Sequence, residues 1–252
     1  LPISTTDNHY LVDSVRGVAN YLESNASAAE ASASQFITSL NSNGVSYGTS
    51  GYNASQTSNV AWQWQAGAGT TSTNTNGSIT STVSVNATAG FSIVTYTGAG
   101  TNSTIGHGLG VAPSLIMVKS RNNAIDWQVY HASAGNGYYG VLDSNAAFSS
   151  SGIWQNTSPT SSVFSAANYS GVNYSGYTYV AYCWAAVPGF SAFGSYTGNG
   201  SADGPFVYLG FRPRCVIFKR TDSAGADWVI IDTARDPYNG MQNQLFPDLT
   251  DR

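Results

Sequence analysis

The chain has 252 residues, 13 acidic and 9 basic side chains and a net charge of -4, and only 9% of it is charged, against about 25% in an average soluble domain. The deficit is filled by 35 Ser, 23 Thr, 21 Asn and 27 Gly rather than by apolar residues, which stand at 42%. Such a balance offers no basic footprint to a nucleic-acid backbone, contains no apolar run of about 18 residues to cross a bilayer as a helix, and at 13% aromatic is too rich for a disordered chain.

In chain order, the start Leu1-Pro2-Ile3-Ser4 carries neither a basic nor an apolar leader, so no signal peptide is read and the numbering is expected to begin inside a longer product. The Ala- and Ser-rich stretch from Asn25 to Leu40 is the one helical candidate. Residues 68–89 read as a Ser/Thr/Asn-rich connector, with an alternating tail, Ser78 to Val85, that suits an edge strand. Short β-branched and aromatic runs at Phe91–Tyr96, Ser114–Lys119, Trp127–Tyr130, Tyr177–Tyr182 and Arg214–Lys219 are bounded by Gly, Asn, Ser or Pro and predict strands. Alternation puts Tyr177, Tyr179 and Ala181 on one face of the fourth run, and Thr178, Val180 and Tyr182 on the other. Cys183 and Cys215, the only cysteines, are expected to be isolated core thiols rather than a disulfide.

An internal repeat organises these runs. Gly90-Phe-Ser-Ile-Val-Thr-Tyr-Thr-Gly98 recurs as Gly189-Phe-Ser-Ala-Phe-Gly-Ser-Tyr-Thr-Gly198. Gly110, Pro113 and Lys119 are matched by Gly210, Pro213 and Lys219, and Asp126-Trp127 by Asp227-Trp228. The N-terminal Asn8-His-Tyr-Leu-Val-Asp13 aligns with Asp126 to His131 and with Asp227 to Asp232, while Val60, Ala61 and Trp64 align with Val180, Ala181 and Trp184. The expected architecture is all-β: tandem β-sandwich units with a repeat of about 100 residues. Residues 1–67 read as the second half of a unit, 68–89 as the connector, 90–188 as a complete unit and 189–252 as the first part of another. Residues 1–67 and 189–252 are expected to close a sandwich together, through pairing near Val60–Trp64 and Phe190–Tyr196, to be completed by other residues or chains, or to form independent small folds.

The inventory for chemistry is thin. Glu23 and Glu30 are the only glutamates, and His9, His107 and His131, which occupy no common repeat position, read as surface or turn residues. There is no nucleophile elbow, no zinc spacing and no Asp-rich calcium loop, and Gly106-His-Gly-Leu-Gly110 precedes a strand and reads as a tight loop rather than a dinucleotide fingerprint. These residues single out no catalytic group, cofactor or metal, and a carboxylate pair facing across a cleft, as glycoside hydrolysis needs, stays open with nothing pointing to it. The matched Trp64, Trp184, Trp127 and Trp228 are expected in the core. Trp62, Trp154, Tyr138, Tyr139, Tyr169 and Tyr174 are left as candidate glycan contacts.

Asp13-Ser-Val-Arg-Gly17, Val60-Ala-Trp-Gln-Trp64, Gly90 to Gly98, Ile105 to Pro113, Gly194 to Pro205 and Asp232-Thr-Ala-Arg-Asp-Pro237 resemble a repeated domain of large virion proteins of tailed bacteriophages, of the tail-fibre-like or structural kind. The resemblance covers nearly the whole chain and brings no catalytic residues with it. It implies a non-enzymatic structural component of the virion, assembled in the host cytoplasm and carried on the extracellular particle, with a further strand-rich segment after Arg252. A tail-fibre or adsorption protein contacting host-surface polysaccharide is the leading expectation, a capsid decoration or cement protein the second, a glycan depolymerase the third. Its expected partners are other virion proteins and copies of itself, three in a fibre, with no nucleic acid and no membrane insertion.

Overall fold

The computed structural model describes residues 7–49, 53, 55, 58–238, 240 and 242–250; the Leu1–Ser4 start and Arg252 lie outside them. The fold is all-β. Strands β1 (Tyr10–Leu11), β2 (Asn20–Glu23) and β3 (Ala31–Ser32) form a small antiparallel sheet, and β4 (Ile37–Asn41) and β5 (Gly44–Tyr47) a hairpin. The helix expected over Asn25–Leu40 is not formed. That stretch has no apolar stripe to bury, and β3 and β4 pair its backbone instead.

Next come β6 (Ser72–Asn74), β7 (Ser81–Asn86), β8 (Phe91–Thr97), β9 (Ser103–Gly106), β10 (Leu115–Ser120), β11 (Gln128–His131), β12 (Tyr138–Val141), β13 (Ser149–Ser150), β14 (Val163–Ala166) and β15 (Thr178–Trp184). Eight of them make one antiparallel sheet in the order β13-β12-β11-β10-β15-β8-β7-β6, while β9 and β14 pair separately. The connector expected at 68–89 is thus part of this sheet. Its Val83 and Val85 are spaced to reach the core, and β7 pairs with β8 along its length. The Gly106 to Gly110 stretch is a tight loop. Gly108 and Gly110 have φ of +75° and +77°, and a Cβ at Gly106 would run into the Asn74 amide.

Period-two alternation gives the large sheet two apolar faces. On one, Val94, Tyr96, Ile116, Val118, Tyr130, Tyr179, Ala181 and Cys183 meet Ile105 of β9, Phe164 of β14 and Trp154. On the other, Phe91, Ile93, Met117, Val129, Val180 and Tyr182 meet Leu22 of the N-terminal sheet, Trp127 and Trp228. The last strands, β16 (Cys215–Phe218) and β17 (Val229–Asp232), form a hairpin. Residues 189–213, which carry the repeated Gly-Phe-Ser to Tyr-Thr-Gly pattern, contain no strand, and Phe190 and Tyr196 are exposed. Burial in the middle unit comes from β15, which pairs both β8 and β10. No strand of that kind flanks β16 among the described residues.

Candidate functional site

The densest polar chemistry lies where the N-terminal strands β1–β3 and the turns beside them meet the large sheet. The turn after β1 is built on Asp13, whose Oδ1 accepts the backbone N–H of Val15 and Arg16 while its Oδ2 accepts Arg16 Nε–H. Arg16 also donates to Leu11 O at 2.9 Å. The turn after β17 repeats this: Asp232 Oδ1 accepts Ala234 and Arg235 N–H, its Oδ2 accepts Arg235 Nε–H at 2.8 Å, and Arg235 donates to Ile230 O. A carboxylate satisfying two backbone donors of a turn holds it as an N-cap holds a helix start.

Docking bonds recur with the same constancy. Trp127 donates its indole N–H to Glu23 O at 2.8 Å, and Trp228 donates to Val141 O at 2.9 Å. Lys119 Nζ donates to Ser27 O and Lys219 Nζ to Asn145 O. The Glu30 N–H donates to Arg121 O, and Phe148 N–H to Thr221 O. Each acceptor segment is held by a further repeated bond: His9 N–H to Asn25 Oδ1, Trp127 N–H to Asp143 Oδ1 and Trp228 N–H to Asp248 Oδ1. Even the strand registers agree, since Tyr10↔Glu23 and Asn20↔Ser32 correspond to Gln128↔Val141 and Tyr138↔Ser150. The pair of lysines is therefore equivalent in hydrogen bonding. Lys119 lies in β10 and is fully buried, whereas Lys219 follows β16 and is more open.

At the first interface the charges form one connected set. Arg16 reaches Glu30 Oε2 at 2.9 Å and donates to Tyr182 Oη at 3.0 Å; the Tyr182 hydroxyl in turn donates to Asp13 Oδ2 at 2.7 Å. Arg121 grips both oxygens of Glu30, at 3.0 and 2.7 Å. Burial alone would push the Asp13 and Glu30 carboxyls up, but Arg16 with the Tyr182 hydroxyl outweighs it at Asp13, and Arg121 with Arg16 at Glu30, so both lie below the usual carboxylate range. Burial also pushes the Tyr182 hydroxyl up, keeping it protonated as the donor to Asp13. Two carboxylates against two guanidiniums leave this set neutral and linked by hydrogen bonds, a geometry that fixes position. Elsewhere burial wins: Asp143 and Asp248 are each raised to about 6, Lys119 is lowered to about 8, and His9 to about 4.

The residues singled out from sequence scatter. Trp154 is buried edge-to-face on Tyr130, 5.9 Å between ring centroids, so it is corrected from a glycan contact to core. Trp62 is half-buried, with the Arg235 guanidinium 6.0 Å above its ring. Tyr138 is exposed on β12, and Tyr139 beside it packs on the core. Tyr169 and Tyr174 are exposed on the loop before β15, which is latched by Tyr179: its hydroxyl donates to Ser170 O and accepts Tyr174 N–H. Tyr174 meets Tyr177 at 4.9 Å. Trp127 and Trp228 are buried as expected, but Trp184 is half-buried and Trp64 is 47% exposed. His9 and His107 are buried, not superficial; His107 Nδ1 accepts Leu109 N–H while Nε2 faces Thr160 O. Cys183 and Cys215 are both free, the first buried and the second exposed. Arg16, Glu30, Arg121 and Tyr182 were not singled out from sequence. The available signal was the Asp-x-x-Arg spacing shared by Asp13–Arg16 and Asp232–Arg235.

Residues 2–252 match the family model described as "Domain of unknown function (DUF7483)", and the chain belongs to that family. No curated protein and no solved structure matches it.

Proposed function

We propose that the chain is a non-enzymatic structural component of a bacteriophage virion, a tail-fibre or adsorption protein whose surface contacts host glycans. The observation that carries the structural half of this reading is the docking interface made twice. The indole and ammonium of one segment donate to two backbone carbonyls of the preceding one, and a backbone N–H of the preceding segment donates back to a carbonyl of the next, at matching positions. Buried charges that elsewhere serve catalysis here hold turns and join modules. The particle half rests on the resemblance of the sequence motifs to those of tailed-phage virion proteins. A surface of hydroxyls, amides and glycine with few charges suits a hydrated shaft.

Antibodies raised against the purified chain, gold-labelled and imaged on intact particles, test the placement. Label along a tail fibre or at its tip is the expected result. Label over the shell, or none on particles, overturns the adsorption reading.

A further inference from the structure

The β15-like stretch of the first module ends in Gln63-Trp64-Gln65, and the segment after β15 brings Phe190 opposite it. Between them lies a cleft of about 350 Å³ lined by Gln63, Trp64, Gln65, Asn86, Phe91 and Phe190. That volume is at the small end of ligand sites, sized for one or two rings.

Trp64 and Phe190 leave 47% and 63% of their surface to solvent, an arrangement that forgoes the burial large aromatics normally gain. Trp64 is nevertheless held in place. It meets Trp184 edge-to-face at 6.0 Å and 75°, and Trp184 lies against the buried Phe91 at 5.1 Å. The polar side chains of the cleft are amides. Asn86 accepts the Ala89 N–H at 3.0 Å, which sets the plane of its amide, and Gln63 and Gln65 flank the indole. A supported aromatic face offers a platform for the C–H face of a sugar ring. Amides donate and accept at once, as paired hydroxyls require. A lining without charged side chains matches a ligand without charge.

We propose that this cleft binds a neutral pyranose ring, stacked on Trp64 and hydrogen-bonded by Gln63, Gln65 and Asn86. The inference rests on the adsorption reading only for the source of the sugar, a host-surface polysaccharide. The binding itself stands on the cleft.

The test titrates the purified chain with glucose, galactose, N-acetylglucosamine and a sialylated oligosaccharide, read by tryptophan fluorescence and saturation-transfer NMR. At least one neutral sugar is expected to bind with a dissociation constant on the order of 1 mM, the range of a small ligand held by few atoms. Trp64→Ala should weaken it at least tenfold and Phe190→Ala severalfold, with melting curves close to wild type, and Phe206→Ala, an exposed aromatic outside the cleft, should leave it unchanged. Three outcomes overturn the proposal: no neutral sugar binds, only the sialylated one binds, or binding survives both Trp64→Ala and Phe190→Ala. If the chain binds a neutral sugar through Trp64 but that sugar does not block particle adsorption, the cleft stands and the adsorption reading falls.

Discussion

Asp143, Asp248 and Asn25 do one job, accepting the N–H of Trp127, Trp228 and His9. Two of the three do it with a carboxyl raised to about 6 by burial. Between pH 4 and 6 the folded chain keeps a proton at Asp143 that the unfolded chain, with the ordinary value of 3.8, has released. Stability contributed by this group therefore falls as pH rises through that window. His9 acts in the opposite sense. Lowered from 6.5 to about 4, it is neutral when folded while the unfolded chain is still protonated, so stability rises over the same range. Asp143→Asn is expected to keep the bond to Trp127, as Asn25 does for His9. It should stabilise the protein more at pH 7 than at pH 4, by on the order of 1–2 kcal/mol; Asp126 still faces Lys119 in this variant. Denaturant unfolding of both proteins at pH 4, 5, 6 and 7 reads the difference, and a pH-independent offset would sink this account.

The tryptophans make a second comparison at this scale. Trp127 is fully buried with its N–H bonded, so Trp127→Ala should cost about 3–5 kcal/mol, against less than about 1 kcal/mol for the half-exposed Trp64→Ala. Equal losses in chemical denaturation would contradict the assignment. Alignment alone made Trp127 and Trp228 legible, because their partners, Glu23 O and Val141 O, recur with them. It misplaced Trp64, whose counterpart Trp184 is embedded between β8 and β10 while no strand pairs with residues 60–66 among the described residues.

At the scale of elements, strand pattern and strand formation part company. The Phe91–Thr97 and Leu115–Ser120 runs became strands because β15 lies between them. The matching residues 190–196 hold one residue more, which puts Tyr196 in phase with Phe190 where Tyr96 is out of phase with Phe91, and both rings are exposed. With β15 beside it, β10 is buried along its length, while β16, paired on one side, alternates between exposed and half-buried. The 25–40 stretch failed in the other direction. Helix-permissive composition lost to a backbone bond from Glu30 to Arg121 and to the pairings of β3. Amide hydrogen exchange should rank these elements: slowest in β15 and β8, intermediate in β11 and β12, and fast in β16 and β17, whose opening exposes little apolar area. Exchange of β16 as slow as β10 would mean that its free edge is covered in solution.

For the molecule as a whole, the matching turns at Asp13–Arg16 and Asp232–Arg235 separate what a turn contributes from what docking contributes. Both arginines satisfy their own aspartate and a carbonyl of the preceding strand. Arg16 goes on by hydrogen bonds to Glu30 and to Tyr182 across the interface with the large sheet, whereas Arg235 sets its guanidinium over the Trp62 ring, 6.0 Å from the centroid. Arg16→Met would strand Asp13 and weaken the hold on Glu30 in a buried site, which costs about 3–5 kcal/mol. Arg235→Met loses the turn bonds in a more open place and should cost about 1–2 kcal/mol. The decisive measurement is a pair of double-mutant cycles with Tyr182→Phe. Coupling of about 1 kcal/mol is expected with Arg16→Met, since the Tyr182 hydroxyl joins Arg16 to Asp13, and none with Arg235→Met. Limited proteolysis should also open the N-terminal module, residues 8–32, in Arg16→Met alone. Additive cycles for both arginines, or equal proteolysis of the two variants, would show that the charged network only shapes a turn and does not join modules.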